Sequence, residues 1–148
     1  MRKSSVKTAI VALSLGSFTS PAWADGHATP TSKETSAFAG EADANIAAVQ
    51  THIDAYRSGD LDQFVATFTK DAVVRVDGFV AIGHEQIKAL YALNFEPDAP
   101  ILRVYDSGVD GELVRVSIGY VFADGQEICC SASEYEVTNG KVSFLRTG

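Results

Sequence analysis

Beyond residue 45 apolar residues recur every three or four positions, and in the last third of the chain they recur at every second position. The two periods mark a helical half followed by a sheet. Ile46, Val49, Ile53 and Tyr56 form one stripe of an amphipathic helix that ends at Ser58-Gly59, where a left-handed residue stops helical hydrogen bonding. Asp60 reads as the N-cap of a second helix, and Gln63 three residues on completes a capping-box pattern. Leu61, Phe64, Val65 and Phe68 make up its buried face. A short strand from Ala72 to Val76 turns at Asp77-Gly78 into Phe79 to Ile82. Gly83-His84-Glu85-Gln86 then opens a third helix with Ile87, Leu90 and Tyr91 inward, and Pro97 and Pro100 bar its continuation.

Asp77-Gly78, Asp110-Gly111, Asp124-Gly125 and Asn139-Gly140 are hairpin signals, because a two-residue type I′ turn needs positive φ at both central positions. Two-residue turns at the last two set the register of the final hairpins. One face then collects Val114, Val116, Ile118, Tyr120 and Phe122, followed by Cys129, Ser131, Ser133, Tyr135 and Val137, then Val142 and Phe144. That face reads as the core. The same arithmetic at Asp110-Gly111 turns Arg103 and Tyr105 inward. Gly119, Val121, Ile128, Cys130 and Ala132 fall on the other face, and a register slip of one would exchange the two sets.

The predicted order is helix, helix, hairpin, helix, four-stranded meander. The fold class is therefore α+β: a cone-shaped barrel made of a curved, mostly antiparallel six-stranded sheet wrapped on three helices from the N-terminal half. Three runs resemble the nuclear transport factor 2-like superfamily in its SnoaL-like branch. They are Ala55-Tyr56-Arg57-Ser58-Gly59-Asp60-Leu61-Asp62, Phe68-Thr69-Lys70-Asp71-Ala72-Val73-Val74 and Gly83-His84-Glu85-Gln86-Ile87. The resemblance covers nearly all of residues 41–148 and implies a cone that encloses a small molecule. It does not specify a reaction, because this fold hosts isomerases, dehydratases, epoxide hydrolases, cyclases and non-catalytic binders.

Alignment on Gly59-Asp60 places the oxyanion-stabilising position of ketosteroid isomerases at His52, their proton-shuttling aspartate at Val76 and their second oxyanion donor at Ser133. Two carboxyls are thus missing, and steroid-isomerase chemistry lacks its base. His52 is the candidate acid or base, with packing beside the apolar stripe as the alternative. The candidate ligand contacts are Tyr56, Phe79, Tyr91, Arg103, Tyr105, Ile118, Tyr120, Cys129, Ser131 and Ser133. An inward Arg103 would clamp a carboxylate or an enolate oxygen; in water at the open end of its strand it would do neither. A small, mainly apolar ligand bound in the cone is the first reading. A lyase, isomerase or cyclase using His52 is the second, and a non-catalytic interaction module with a filled cone is the third.

Composition narrows the partners. Arg2, Lys3 and Lys7, the apolar run from Thr8 to Phe18 and Ala22-Trp23-Ala24 make residues 1–24 a secretory signal peptide, implying a periplasmic or secreted protein. Residues 25–40 read as a flexible linker and 41–148 as the domain. Without the three leader cations, nine basic residues face 19 acidic ones, a net charge near −10 that disfavours nucleic acid and anionic membrane surfaces. His27, His52 and His84 are dispersed, and neither metal-ligand spacing nor a phosphate loop occurs, so no cofactor is expected. The adjacent Cys129 and Cys130 point to opposite faces of a regular strand, leaving either two free thiols or a bridge between subunits. The small, apolar outer set, together with the resemblance, implies a homodimer through that sheet face.

The leader yields one prediction. Intact-mass measurement on protein recovered from the periplasm should find an N-terminus at Asp25; a species that keeps Met1 would refute it.

Overall fold

The computed structural model describes residues 32–148, with side chains from residue 40. The leader and the first part of the linker lie outside the described residues. Helix α1 spans Ser32–Arg57, so it begins within the stretch read as a flexible linker. Its buried face carries Val49, His52, Ile53 and Tyr56, while Ile46 stays 39% exposed. The helix ends where Ser58 N–H donates to Asp54 O and Gly59 takes a φ of 75°. Asp60 then caps α2 (Leu61–Ala66), its carboxylate accepting from Gln63 N–H at 3.0 Å.

After α2 come β1 (Phe68–Val76), β2 (Phe79–Ile82), α3 (Gly83–Tyr91) and a 3₁₀ turn (Ala92–Phe95). β1 starts four residues earlier than the alternation suggested, because Phe68 pairs with Val142 across a parallel contact made only in the folded chain. The meander follows as β3 (Ile101–Asp110), β4 (Leu113–Val121), β5 (Glu127–Thr138) and β6 (Lys141–Thr147). The sheet has six strands in the order β2-β1-β6-β5-β4-β3, antiparallel throughout except for β1 against β6. The architecture is the α+β arrangement expected from the sequence, with the sheet open rather than closed on itself: its first and last strands are both edges.

Two of the four turns are type I′, with positive φ at Asp77 and Gly78 and at Asn139 and Gly140. The other two differ. The β3–β4 loop is Gly111-Glu112, because Asp110 pairs with Leu113. Between β4 and β5, Phe122 N–H donates to Gln126 O at 2.8 Å and leaves a three-residue turn, with Gly125 left-handed and Gly125 N–H donating to Phe122 O at 2.9 Å.

Each hairpin of the meander then carries a register shift: at Tyr105 in β3, at Cys130 in β5 and at Ser143 in β6. An extra residue bends its strand and reverses which side chains face the core. Past the shift at Tyr105, Leu102 and Val104 oppose Tyr120 and Ile118, so Arg103 turns outward. Past Ser143, Leu145 opposes Tyr135 and is buried, while Phe144, expected in the core, opposes Glu136.

The outer face is also rearranged. Ile128 opposes Tyr120 rather than sharing a face with Gly119. Gly119 is covered by the ring of Tyr105: a Cβ there would lie 2.9 Å from Tyr105 Cε2 and would overlap the carbonyl oxygen of Ile128. Ion pairs cross this face, with Arg115 on Asp110 and Glu134, Arg146 on Glu134 and Arg103 on Glu127.

Cys129 and Cys130 are joined as a disulfide rather than free. The opposite-face argument presumed a regular strand, whereas the pair sits at the register shift of β5, where Cys130 is the extra residue.

The contact at Gly119 generates a prediction. Gly119→Ala should lower stability by about 1–3 kcal/mol in urea unfolding, because the blocking atom is backbone and cannot swing aside. Gly108→Ala, where a Cβ meets nothing within 4 Å, is the control with little effect.

Candidate functional site

Between α1, α3 and the bent sheet lies a cavity of about 90 Å³. Its polar lining is His52 and Tyr56 from α1, Tyr91 from α3, Asn94 from the 3₁₀ turn, Tyr120 from β4 and Tyr135 from β5, with Thr147 of β6 completing it. Ile118, Val76, Leu102 and Leu145 are among its apolar walls. No Asp, Glu, Lys or Arg lines it.

His52 sits at one turn's remove from Tyr56 on the buried stripe of α1 and is 3% exposed. Its ring meets Phe64 and Phe68 at centroid distances of 4.7 Å each and Tyr135 at 5.6 Å. Nδ1 lies 2.7 Å from Thr67 Oγ1. Burial lowers its pKa from 6.5 to about 3, since the imidazolium would have to give up its hydration among aromatic rings. The ring is therefore neutral at physiological pH.

The tyrosines are shifted the other way. Burial raises Tyr56, and the Asn94 side chain partly offsets this by donating to the Tyr56 hydroxyl at 3.1 Å. Burial pushes Tyr135 up to about 12. Tyr91 and Tyr120 rise by burial first, then by repulsion from the phenolates that ionisation would create around them and, for Tyr120, from the Asp77 carboxylate. All four phenols remain protonated donors at neutral pH. The site offers neutral hydrogen-bonding groups in an apolar shell and no group that titrates near pH 7.

Of the residues singled out from the sequence, the fold gathers His52, Tyr56, Tyr91, Ile118 and Tyr120 around the cavity. Ser133 is fully buried just behind the wall, its Oγ 2.8 Å from Thr147 Oγ1. The other five lie elsewhere. Arg103 is turned out by the shift at Tyr105 and pairs with Glu127 at 3.2 Å. Tyr105 is 41% exposed and packs over Gly119 on the outer face. Phe79 is 67% exposed on β2, the edge strand. Cys129 opposes Gly119 on the outer face, and Ser131 lies in the run 127–132 of β5, which is exposed throughout.

Sequence reasoning missed Asn94, Thr147 and Thr67. Asn94 follows a helix with no periodicity to place it, and Thr147 is turned inward only by the shift at Ser143. Thr67 closes α2, and nothing in its local sequence announces a histidine partner 15 residues away. Among the described residues no three His, Cys, Asp or Glu side chains converge as a metal site, and no helix is long and apolar enough to cross a membrane.

No family model and no curated protein matches the sequence. Solved structures do match. A structure described as a putative polyketide cyclase from Sinorhizobium meliloti superposes with a TM-score of 0.61 at 22% identity, over 68% of this chain and 93% of that one. A nuclear transport factor 2-like protein from Burkholderia xenovorans gives 0.59 at 22% identity, over 72% and 82%. An epoxide hydrolase of the LEH-like type from M. tuberculosis gives 0.60 at 20% identity, over 72% and 83%. The chain has the nuclear transport factor 2-like, SnoaL-like fold.

The buried histidine makes acid sensitivity a measurable property. Its folded pKa lies below its unfolded value, so the unfolded chain takes the proton first. The resulting stability is complete above pH 6.5 and is lost as pH falls towards 3, by up to about 1.4 kcal/mol per pH unit. In His52→Phe, denaturant unfolding between pH 6.5 and 4.5 should show a correspondingly flatter pH dependence than the wild type. Equal slopes would contradict the neutral, buried ring.

Proposed function

We propose that this protein is an exported binding protein that encloses one small, neutral, mainly apolar molecule in the cavity beside His52 and performs no proton-transfer chemistry on it. The carrying observation is the lining itself: protonated phenols and a neutral imidazole, with no charged side chain among them. An ionised ligand would be desolvated there without a counter-charge, a cost that excludes carboxylates and ammonium ions. Size limits the ligand too. Drug-sized pockets run to about 300–1,000 Å³, and an apolar cavity of about 150 Å³ holds benzene. At about 90 Å³ the present cavity suits a molecule of a few non-hydrogen atoms, up to a small ring with modest side-chain adjustment.

The absence of turnover follows from the same groups. Efficient acid–base catalysis needs a pKa near the working pH. His52 at about 3 is a weak base, and the tyrosines are weaker acids than free phenol. The resemblance assigns proton shuttling to the position of Val76, which lines the cavity and carries no proton to move. Likeness to structures described as a polyketide cyclase and an epoxide hydrolase supports an enclosed site in this fold and leaves their reactions with them. The leader-like N-terminus supports action outside the cytoplasm.

A thermal-shift panel of four- to six-carbon alcohols, ketones and carboxylates on protein beginning at Asp25 tests the reading. Neutral members should raise the midpoint, with stabilisation approaching about 2.7 kcal/mol at a hundredfold excess over Kd. Val76→Phe should fill the cavity and abolish the shift while the protein stays folded. A carboxylate that outperforms its neutral analogues, or turnover that disappears in His52→Ala, would overturn the reading.

A further inference from the structure

Resting on that reading of the cavity, we infer that Thr67, which is not part of the lining, selects the ligand class by locking His52 as a hydrogen-bond acceptor, so that the site takes a small alcohol or enol in preference to a ketone. Thr67 is the C-cap residue of α2 and is held from several sides. Its N–H donates to Phe64 O at 3.1 Å, its carbonyl accepts from Val142 N–H at 3.0 Å, and its hydroxyl donates to Phe64 O at 2.6 Å. A hydroxyl has one proton. With that proton given to Phe64 O, the oxygen can only accept from His52, and at 2.7 Å Nδ1 must carry the hydrogen.

A neutral imidazole has a single N–H, so the other nitrogen, Nε2, presents a lone pair. Among the described residues Nε2 has no protein partner, yet it is not sealed off, because the only buried side-chain polar atom without a partner is Thr69 Oγ1. His52 lines the cavity, so that lone pair opens into it. Burial also prevents protonation from turning Nε2 into a donor at neutral pH. Thr67 is thus a positioning residue that acts through the imidazole.

The cavity consequently sets this obligatory acceptor, alongside the Asn94 amide oxygen, beside phenolic donors from Tyr91 and Tyr135. A ligand hydroxyl satisfies both, donating to Nε2 and accepting from a phenol. A ketone oxygen accepts from a phenol and leaves Nε2 unpaired, in a space from which the ketone has expelled water. An unsatisfied buried acceptor corresponds to a loss of roughly tenfold or more in affinity.

Two measurements test this on protein beginning at Asp25. Nitrogen-15 NMR of the unliganded protein should show the His52 ring protonated at Nδ1 and bare at Nε2. Titrations with cyclopentanol and cyclopentanone, which share a ring, should favour the alcohol by about tenfold or more. Thr67→Val should mix the tautomers and bring the two affinities within about twofold, and Thr67→Ser, which restores the hydroxyl, should recover the preference. Should Thr67→Val fail to fold, the wild-type ring spectrum and Thr67→Ser still decide. A ring protonated at Nε2, or equal affinities in the wild type, overturns the inference and leaves the binding reading standing. If neither compound binds and no neutral compound of the panel does, the binding reading falls as well.

Discussion

Phe64 is the contact on which the cavity depends. Its ring is 1% exposed and meets His52, Tyr56, Phe68, Tyr91 and Phe95 at centroid distances of 4.7–5.4 Å, mostly edge to face. Those partners come from α1, β1, α3 and the 3₁₀ turn, so one side chain joins the helical half of the site to the first strand of the sheet. Such ring pairs contribute about 0.5–1.5 kcal/mol each beyond the area they bury. Phe64 itself stands on a six-residue helix too short to persist alone. Its placement relies on the Asp60 cap at one end and Thr67 at the other, the latter tied to β6 through Val142.

The chemistry of the site follows from that packing. A histidine placed among phenylalanines loses its charge, and phenols crowded together keep their protons; both effects arise from the same low-polarity surroundings. What remains is a small space lined by neutral polar groups whose hydrogen bonds, rather than charges, set its character. Thr67 serves two ends in this arrangement, as it terminates α2 and orients the one nitrogen base of the cavity.

The opposite face of the sheet works differently. The arginines of its Arg–Glu pairs stand in solvent while Glu134 is partly buried, and pairs open to water on one side contribute little to stability, about 0–1 kcal/mol. Their value lies in register: Arg115 and Arg146 both reach Glu134 only when β4, β5 and β6 are aligned as observed. Tyr105 over Gly119 adds an apolar contact at the point where β3 bends, compensating a position with no side chain of its own.

Helix stripes, the Asp60 cap, the strand at Phe79–Ile82 and the turns at Asp77-Gly78 and Asn139-Gly140 were legible in the sequence because each depends on a few neighbouring residues and a backbone preference. The same holds for His52 and Tyr56, one turn apart on a single helix face, and for Ile118 and Tyr120, two apart on one strand. The shifts at Tyr105, Cys130 and Ser143 were not legible. A bulge leaves no residue preference strong enough to read, and its position is decided by how far a strand must bend to stay against helices distant in the chain. Because side chains alternate with a period of two, each shift exchanged inside for outside. The sequence alone thus determined the elements, their order and the helical half of the site; the tertiary structure put Leu102, Leu145 and Thr147 at the cavity in place of Arg103, Tyr105 and Phe144, since only the curvature of the assembled sheet sets the parity of its strands.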